Sequence, residues 1–270
     1  MVSLTGHFLP GIAVLLSWFA STGLIVWLVH RPRATYRASM VGTTVAAMVG
    51  IGMIAATRHD SGPAATYAAA AAALAIWAWQ ELAFLTGAAA GPRRLPADRN
   101  AVGFLRFRQA TEALLWHELA LAGLLVLLAA ISWGTANQVA AGVFGLLFVL
   151  RLAAKLSIFS GVPNFSDELI PAHLQYLRSY FGPRRISATL LASLATSLVL
   201  AALLAQRALA AGAGDAAIAP SLVFTLAGLG VLELTFLALP VRDGALWHWA
   251  LRRDSTTHIA GQARGTVHGL

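Results

Sequence analysis

The chain has 270 residues, of which 58% are hydrophobic and 11% charged, with a mean hydropathy of +0.72 and a net charge of +8. Soluble domains carry about 25% charged residues, so this composition excludes a sizeable soluble domain and marks a membrane protein. There is no cysteine, which removes disulfides, thiolate metal sites, iron–sulfur clusters and cysteine nucleophiles, and the basic residues are spread between apolar runs instead of forming a nucleic-acid footprint.

Seven apolar stretches reach or approach the about 20 residues that cross a bilayer as a helix. The first, Phe8–Val29, lacks a basic leader and is followed by the stop-transfer pattern "HRPR", so it reads as a span and not as a signal peptide. Ser39–Ala56 and Ala64–Thr86 come next, the latter with the alanine-rich "AATYAAAAAALAIWAW" of a close-packing helix face. A Gly/Pro-rich connection, "GAAAGPRRLPADRNAVGFLRFRQ", then turns basic and aromatic, as expected of a loop followed by a surface-lying segment. Thr111–Ser132 and Ala136–Ala154 are the fourth and fifth spans. Between the fifth and sixth lies a polar motif segment, residues 155–186, containing "SGVPNFSDELIPAHLQYLRSYFG". Ser187–Gln206 and Ala219–Leu239 complete an all-α, seven-helix transmembrane bundle over residues 1–240. In the tail, residues 241–270, "ALWHWALRR" offers Trp247 and Trp249 as interfacial anchors, and a polar, disordered end follows. No internal repeat is evident, which weighs against an inverted-repeat transporter.

Orientation follows from the basic residues. Seventeen of the 19 fall in the first, third and fifth loops and the tail, against Arg58 and Arg207 alone in the even loops. The expected topology is therefore N-terminus periplasmic and C-terminus cytoplasmic, which only an odd number of spans allows.

Ionisable groups inside spans are the informative residues, since each costs roughly 2.5–3.5 kcal/mol at the bilayer centre. The third span carries Glu81, the fourth Glu112, His117 and Glu118, and the seventh Glu233; the first, second and sixth carry none in their interiors. At about 1.5 Å per residue, Glu81, His117, Glu118 and Glu233 lie at one level, some 8–10 Å from the cytoplasmic ends of their helices. The motif segment adds Glu168 and His173 on that side. Four glutamates and two histidines are the ligand set of a carboxylate-bridged di-iron or di-manganese centre, in which the metal charge would offset the buried carboxylates. The spacing departs from that pattern. Both Glu112–His117 and Glu168–His173 are five residues apart, about 140° around a regular helix, instead of three. Glu112, near the interface, reads equally well as a packing element. His117 alone could ligate the magnesium of bacteriochlorophyll or a magnesium porphyrin, and a proton relay along the glutamates is a further reading. A retinal Schiff base in the seventh span is excluded, because the only lysine is Lys155 at the end of the fifth. No phosphate-binding glycine loop, zinc-protease motif or serine triad is present.

Gly161, Val162, Pro163, Asn164, Glu168, Pro171, His173, Leu174, Tyr176 and Leu177, together with "WHELAL", make the chain resemble the PuhE family of photosynthetic complex assembly proteins from purple phototrophic bacteria. Ile170 before Pro171 departs mildly from the family's pattern. The resemblance implies seven spans, residence in the inner (intracytoplasmic) membrane, and a part in assembling the reaction centre–light-harvesting complex and in bacteriochlorophyll production. It does not itself fix a biochemical activity. Two functions are therefore carried forward. One is an assembly factor that binds pigment, pigment-biosynthesis enzymes or complex subunits. The other is a di-iron oxygenase or oxidase acting on a tetrapyrrole intermediate, of the oxidative cyclase type. A pigment-precursor transporter is a weaker third. Ser166 or Asn164 is expected to cap a short helix, with Pro171 turning His173 inward, so that the segment forms a lid or wall of the polar site.

Overall fold

The computed structural model describes residues 2–165 and 170–239. It contains seven helices long and apolar enough to cross a membrane and no strand among the described residues. They are α1 (Leu9–Val29), α2 (Tyr36–Thr57), α3 (Pro63–Leu85), α4 (Gly103–Ser132), α5 (Val139–Ser160), α6 (Ala188–Ala210) and α7 (Ile218–Ala238). The expected multi-pass bundle is thus observed. The expected anchors Trp247 and Trp249, the disordered tail, Ser166 and Glu168 lie outside the described residues.

The helices α3, α5 and α7 form the centre, and α2 and α3, like α6 and α7, pair as antiparallel neighbours. The alanine-rich run does pack closely. Ala69, Ala72, Ala73 and Ile76 are buried on α3 and face Ala47, Gly50 and Ile54 of α2. A Cβ at Gly50 would stand 3.2 Å from the Ala72 carbonyl. Small residues at this spacing let two backbones approach where lipid offers no hydrophobic drive to hold them together. Larger side chains fill the centre, with Trp77 of α3 edge-on to Phe144 of α5 at 5.2 Å.

Two helix boundaries differ from expectation. The first turns of α4, Gly103–Gln109, continue the helix instead of lying separately along the surface, which makes α4 30 residues long. Arg106, in that extension, donates to the Tyr180 and Phe181 carbonyls and stacks over Phe159, so its charge is used inside the protein. The other is α5, which runs to Ser160 instead of ending at Ala154. Arg151 and Lys155 are therefore in a helix and not in the fifth loop; with Arg37, Arg106, Arg108 and Arg207 also inside helices, twelve basic residues stand against Arg58 alone in the orientation argument. The end bearing the arginine-rich loops is called the basic end below. At the opposite end, the Asn137 side chain donates to the Asp60 and Ala65 carbonyls, joining the α4–α5 turn to the α2–α3 turn.

At the basic end the long α3–α4 connection folds back onto α4. Gly91 donates its amide to the Ala113 carbonyl at 2.9 Å, and a Cβ there would collide with the Glu112 carbonyl oxygen. Gly91→Ala should therefore lower stability by about 1–3 kcal/mol through forced separation of the two backbones, read as a fall in the unfolding midpoint in detergent. A midpoint equal to that of the parent chain would show that the connection is not seated on α4 in this way.

Candidate functional site

The site is organised by two cations that the sequence presents among its topology markers. Arg151 and Lys155 stand four residues apart on α5, hence on one face. Arg151 Nη1 donates to Glu233 Oε1 at 2.5 Å, and Arg151 Nε lies 3.8 Å from Glu81 Oε1. Lys155 Nζ donates to Glu118 Oε1 at 2.5 Å. Three of the glutamates expected to share a level do meet, from α3, α4 and α7, and they meet on the helix packed among them. A signal for this was present in the sequence. "LRLAAKLSIF" keeps its apolar residues beyond both cations, and the cations match in depth the acids of neighbouring spans.

His117 is on the same level of α4 and 1% exposed. Its ring lies against Phe84 at a centroid distance of 4.7 Å and within electrostatic reach of Glu81, Glu118, Arg151 and Lys155. Neither of its nitrogens has a hydrogen-bond partner among the described residues, and the same holds for Glu81 Oε1 and Arg151 Nε. Unused donors and acceptors are thus gathered at the centre of the charge cluster, where each unpaired one is costly. Glu112 is elsewhere, in an exposed pair with Arg108 at 3.3 Å, as suits a packing element.

A metal centre is tested by the same geometry. Among the described residues no group of three or more His, Asp or Glu side chains is disposed to hold a metal ion. The carboxylates of Glu118 and Glu233 are already matched by an ammonium and a guanidinium, which supply the compensation a metal would otherwise provide. The described residues, which leave out Glu168, do not fit a di-iron or di-manganese centre in this arrangement.

His173 sits apart from the cluster, one turn beyond Glu81 along α3. Its segment, Ala172–Tyr180, is a 3-10 helix that begins after Pro171. His173 Nε2–H donates to the Leu85 carbonyl at 2.9 Å, satisfying one of the free carbonyls at the end of α3. The helix expected to start at Asn164 or Ser166 falls on residues outside those described, and Asn164 itself is bound to α7. Its backbone amide and side chain donate to the Leu237 and Phe236 carbonyls, so it seals the end of α7. Tyr180 fixes the far end, accepting from Arg93 Nε at 2.8 Å and donating to the Leu95 carbonyl at 2.9 Å. The segment is therefore a wall across the basic end, bound to α3, α7 and the long connection.

Burial holds the His173 pKa below the ordinary 6.5; the Leu85 hydrogen bond opposes this, and the Arg33 and Arg94 charges add to it.

Residues 4–258 match the family described as "Protein of unknown function (DUF3623)", and the chain belongs to it. A Rhodobacter capsulatus protein named "Uncharacterized 30.4 kDa protein in puhA 5'region" is 32% identical over 247 residues, which cover 90% of each chain. No solved structure matches.

Two outcomes are expected. Arg151→Met leaves Glu81 and Glu233 without their cation and should cost about 3–5 kcal/mol, most of it recovered in Arg151→Met/Glu81→Gln/Glu233→Gln. Denaturant unfolding of both variants checks this, and a triple variant as unstable as the single one would refute the pairing. The second concerns pH. Because the folded state resists protonating His173, docking of the segment is fully stable above about 6.5, weakens as the pH falls from there toward the depressed folded value, and levels off below it. Hydrogen exchange at the Leu174 amide should follow this course and lose it in His173→Gln.

Proposed function

We propose that this member of the DUF3623 family is an inner-membrane factor in photosynthetic complex assembly and bacteriochlorophyll production, of the PuhE type. The observation that carries this reading is kinship, over nine-tenths of both chains, with a Rhodobacter capsulatus protein whose name sets it in the region 5' of puhA. The motif Gly161-Val162-Pro163-Asn164 followed by His173-Leu174 supports the same assignment from within the chain. In this role the N-terminus is periplasmic and the basic end faces the cytoplasm, as the twelve-to-one distribution of basic residues favours.

The geometry supports a holding role over a catalytic one. Arg151 and Lys155 bring α3, α4, α5 and α7 into one register, and the wall of residues 172–180 closes the basic end over them. A bundle fixed in this way presents constant apolar faces to the membrane, on which reaction centre–light-harvesting subunits or pigment-biosynthesis enzymes can be received.

The test is deletion of the gene in a purple phototroph and complementation with variants. Deletion should lower the near-infrared absorbance of assembled pigment–protein complexes. Arg151→Met should restore it several-fold less than the parent chain, following the loss of stable protein, and the tagged chain should co-purify with complex subunits or pigment enzymes. Unchanged complexes after deletion would overturn the assignment. Accumulation of one tetrapyrrole intermediate, with iron in the purified protein, would instead favour an oxidative enzyme.

A further inference from the structure

Where α2 begins and α3 ends, the basic end contains a cavity of about 270 Å³ lined by Arg33, Tyr36, Gly87, Arg94, His173 and Tyr176 among others. Three separate chain segments supply its polar groups: the 3-10 turn Arg33–Thr35 before α2, the connection after α3, and the 3-10 helix Ala172–Tyr180. Among the described residues no acidic side chain lines it. The Arg33 side chain makes no hydrogen bond or ion pair among the described residues, and Arg94 uses one donor, Nη2, on the Gly87 carbonyl at 3.1 Å. The Tyr176 hydroxyl is buried and has no partner. Tyr36 and His173 are already engaged, on the Val29 and Leu85 carbonyls. Two guanidinium groups and a spare hydroxyl therefore surround one space with nothing negative opposite them among the described residues.

We propose that this cavity is a binding site for a phosphate group. Guanidinium forks match phosphate oxygens in pairs, and donors from three directions suit a tetrahedral oxyanion better than a planar carboxylate. The level of the site agrees, because a basic pocket between transmembrane helices at a charged membrane face is where lipid headgroups are held. So does its size. At roughly 30 Å³ per water, the space exceeds what a bare phosphate fills. Yet it is smaller than the about 300–1,000 Å³ of ordinary organic-ligand pockets, so a pigment macrocycle does not enter it. The group fits as part of a lipid headgroup or as free phosphate with its water. Gly87 helps to shape the cavity: it adopts φ +83°, and a Cβ there would stand 3.4 Å from the His173 ring. The site does not depend on the role proposed above.

His173 reports occupancy. An anion brought beside the imidazole favours its protonated form, so binding must raise the pKa that burial and the two arginines now hold down. The experiment uses the full-length protein in a neutral maltoside detergent, with ¹⁵N-labelled histidine and the His173 signal assigned through His173→Gln. Dodecyl phosphate and inorganic phosphate are titrated separately. At least one should shift the His173 midpoint upward. Arg33→Gln and Arg94→Gln should each weaken binding about tenfold or more, and Tyr176→Phe about fivefold. Dodecyl phosphate binding at least about tenfold more tightly than inorganic phosphate identifies a lipid headgroup as the source; equal affinities identify free phosphate. Arg33→Gln removes no hydrogen bond of the folded chain, so its effect reads binding and not folding. The proposal fails if neither ligand moves His173, or if Arg33→Gln binds with the affinity of the parent chain.

Discussion

Arg151 joins three of the seven helices, and the positions of the others follow from that junction. A guanidinium this far along a membrane helix is unfavourable on insertion by about 2.5–3.5 kcal/mol, and isolated glutamates at the same depth are equally unwelcome. Brought together, each removes the other's cost, and the geometry that achieves this admits little freedom. Arg151 must face α3 and α7 at once, while Lys155, one turn on, must face α4. The rotation of α5 about its axis is thereby fixed, and with it the apolar surfaces it offers to Trp77, Leu226 and Leu229. Apolar packing alone would not fix it, since α5 is hydrophobic around most of its circumference and lipid competes with every contact.

The polar wall at the basic end depends on the same register. Asn164 can seal α7, and His173 can seal α3, only if those two helices end at matching heights on either side of the junction. Arg93, Arg106 and Tyr180 then bind the wall to the long connection and to the extension of α4. The segment that stands out as polar in a hydrophobic chain is explained by these unpaired carbonyls at helix ends. A helix terminus that meets protein instead of water needs donors, and Asn, His, Tyr and Arg supply them. The role proposed above would draw on such rigidity, since a partner received within the membrane would meet a surface of constant shape.

Seven spans and their order were legible in the sequence because the apolar runs are long and their breaks carry Gly, Pro or Arg. The convergence of Glu81, His117, Glu118 and Glu233 was also legible, from depth alone. What could not be read was the partner of each carboxylate. A Lys or Arg near the end of an apolar run is equally consistent with a loop boundary or with a buried ion pair, and the periodicity that decides between them extends only from Leu152 to Phe159. Taking Arg151 and Lys155 as loop residues left the glutamates without cations, and a metal then looked like the natural compensation. Asn164 also has a contact that local rules do not reach: its side chain satisfies a helix 72 residues away in the chain. The two-arginine cavity was missed because its lining comes from three loops distant in sequence.

The order of these charges along the chain has a consequence for synthesis. Helices enter the membrane from the N-terminus onward as the ribosome delivers them. Glu81 and Glu118 precede Arg151 and Lys155, so each basic side chain reaches the bilayer when an acidic partner is already there. Only Glu233 comes afterwards, and it arrives to find Arg151 held by Glu81 at the looser of its two contacts. The tighter pair is thus the last to close. Insertion of α7 completes the junction, and until that moment the half-made bundle keeps one donor ready for it.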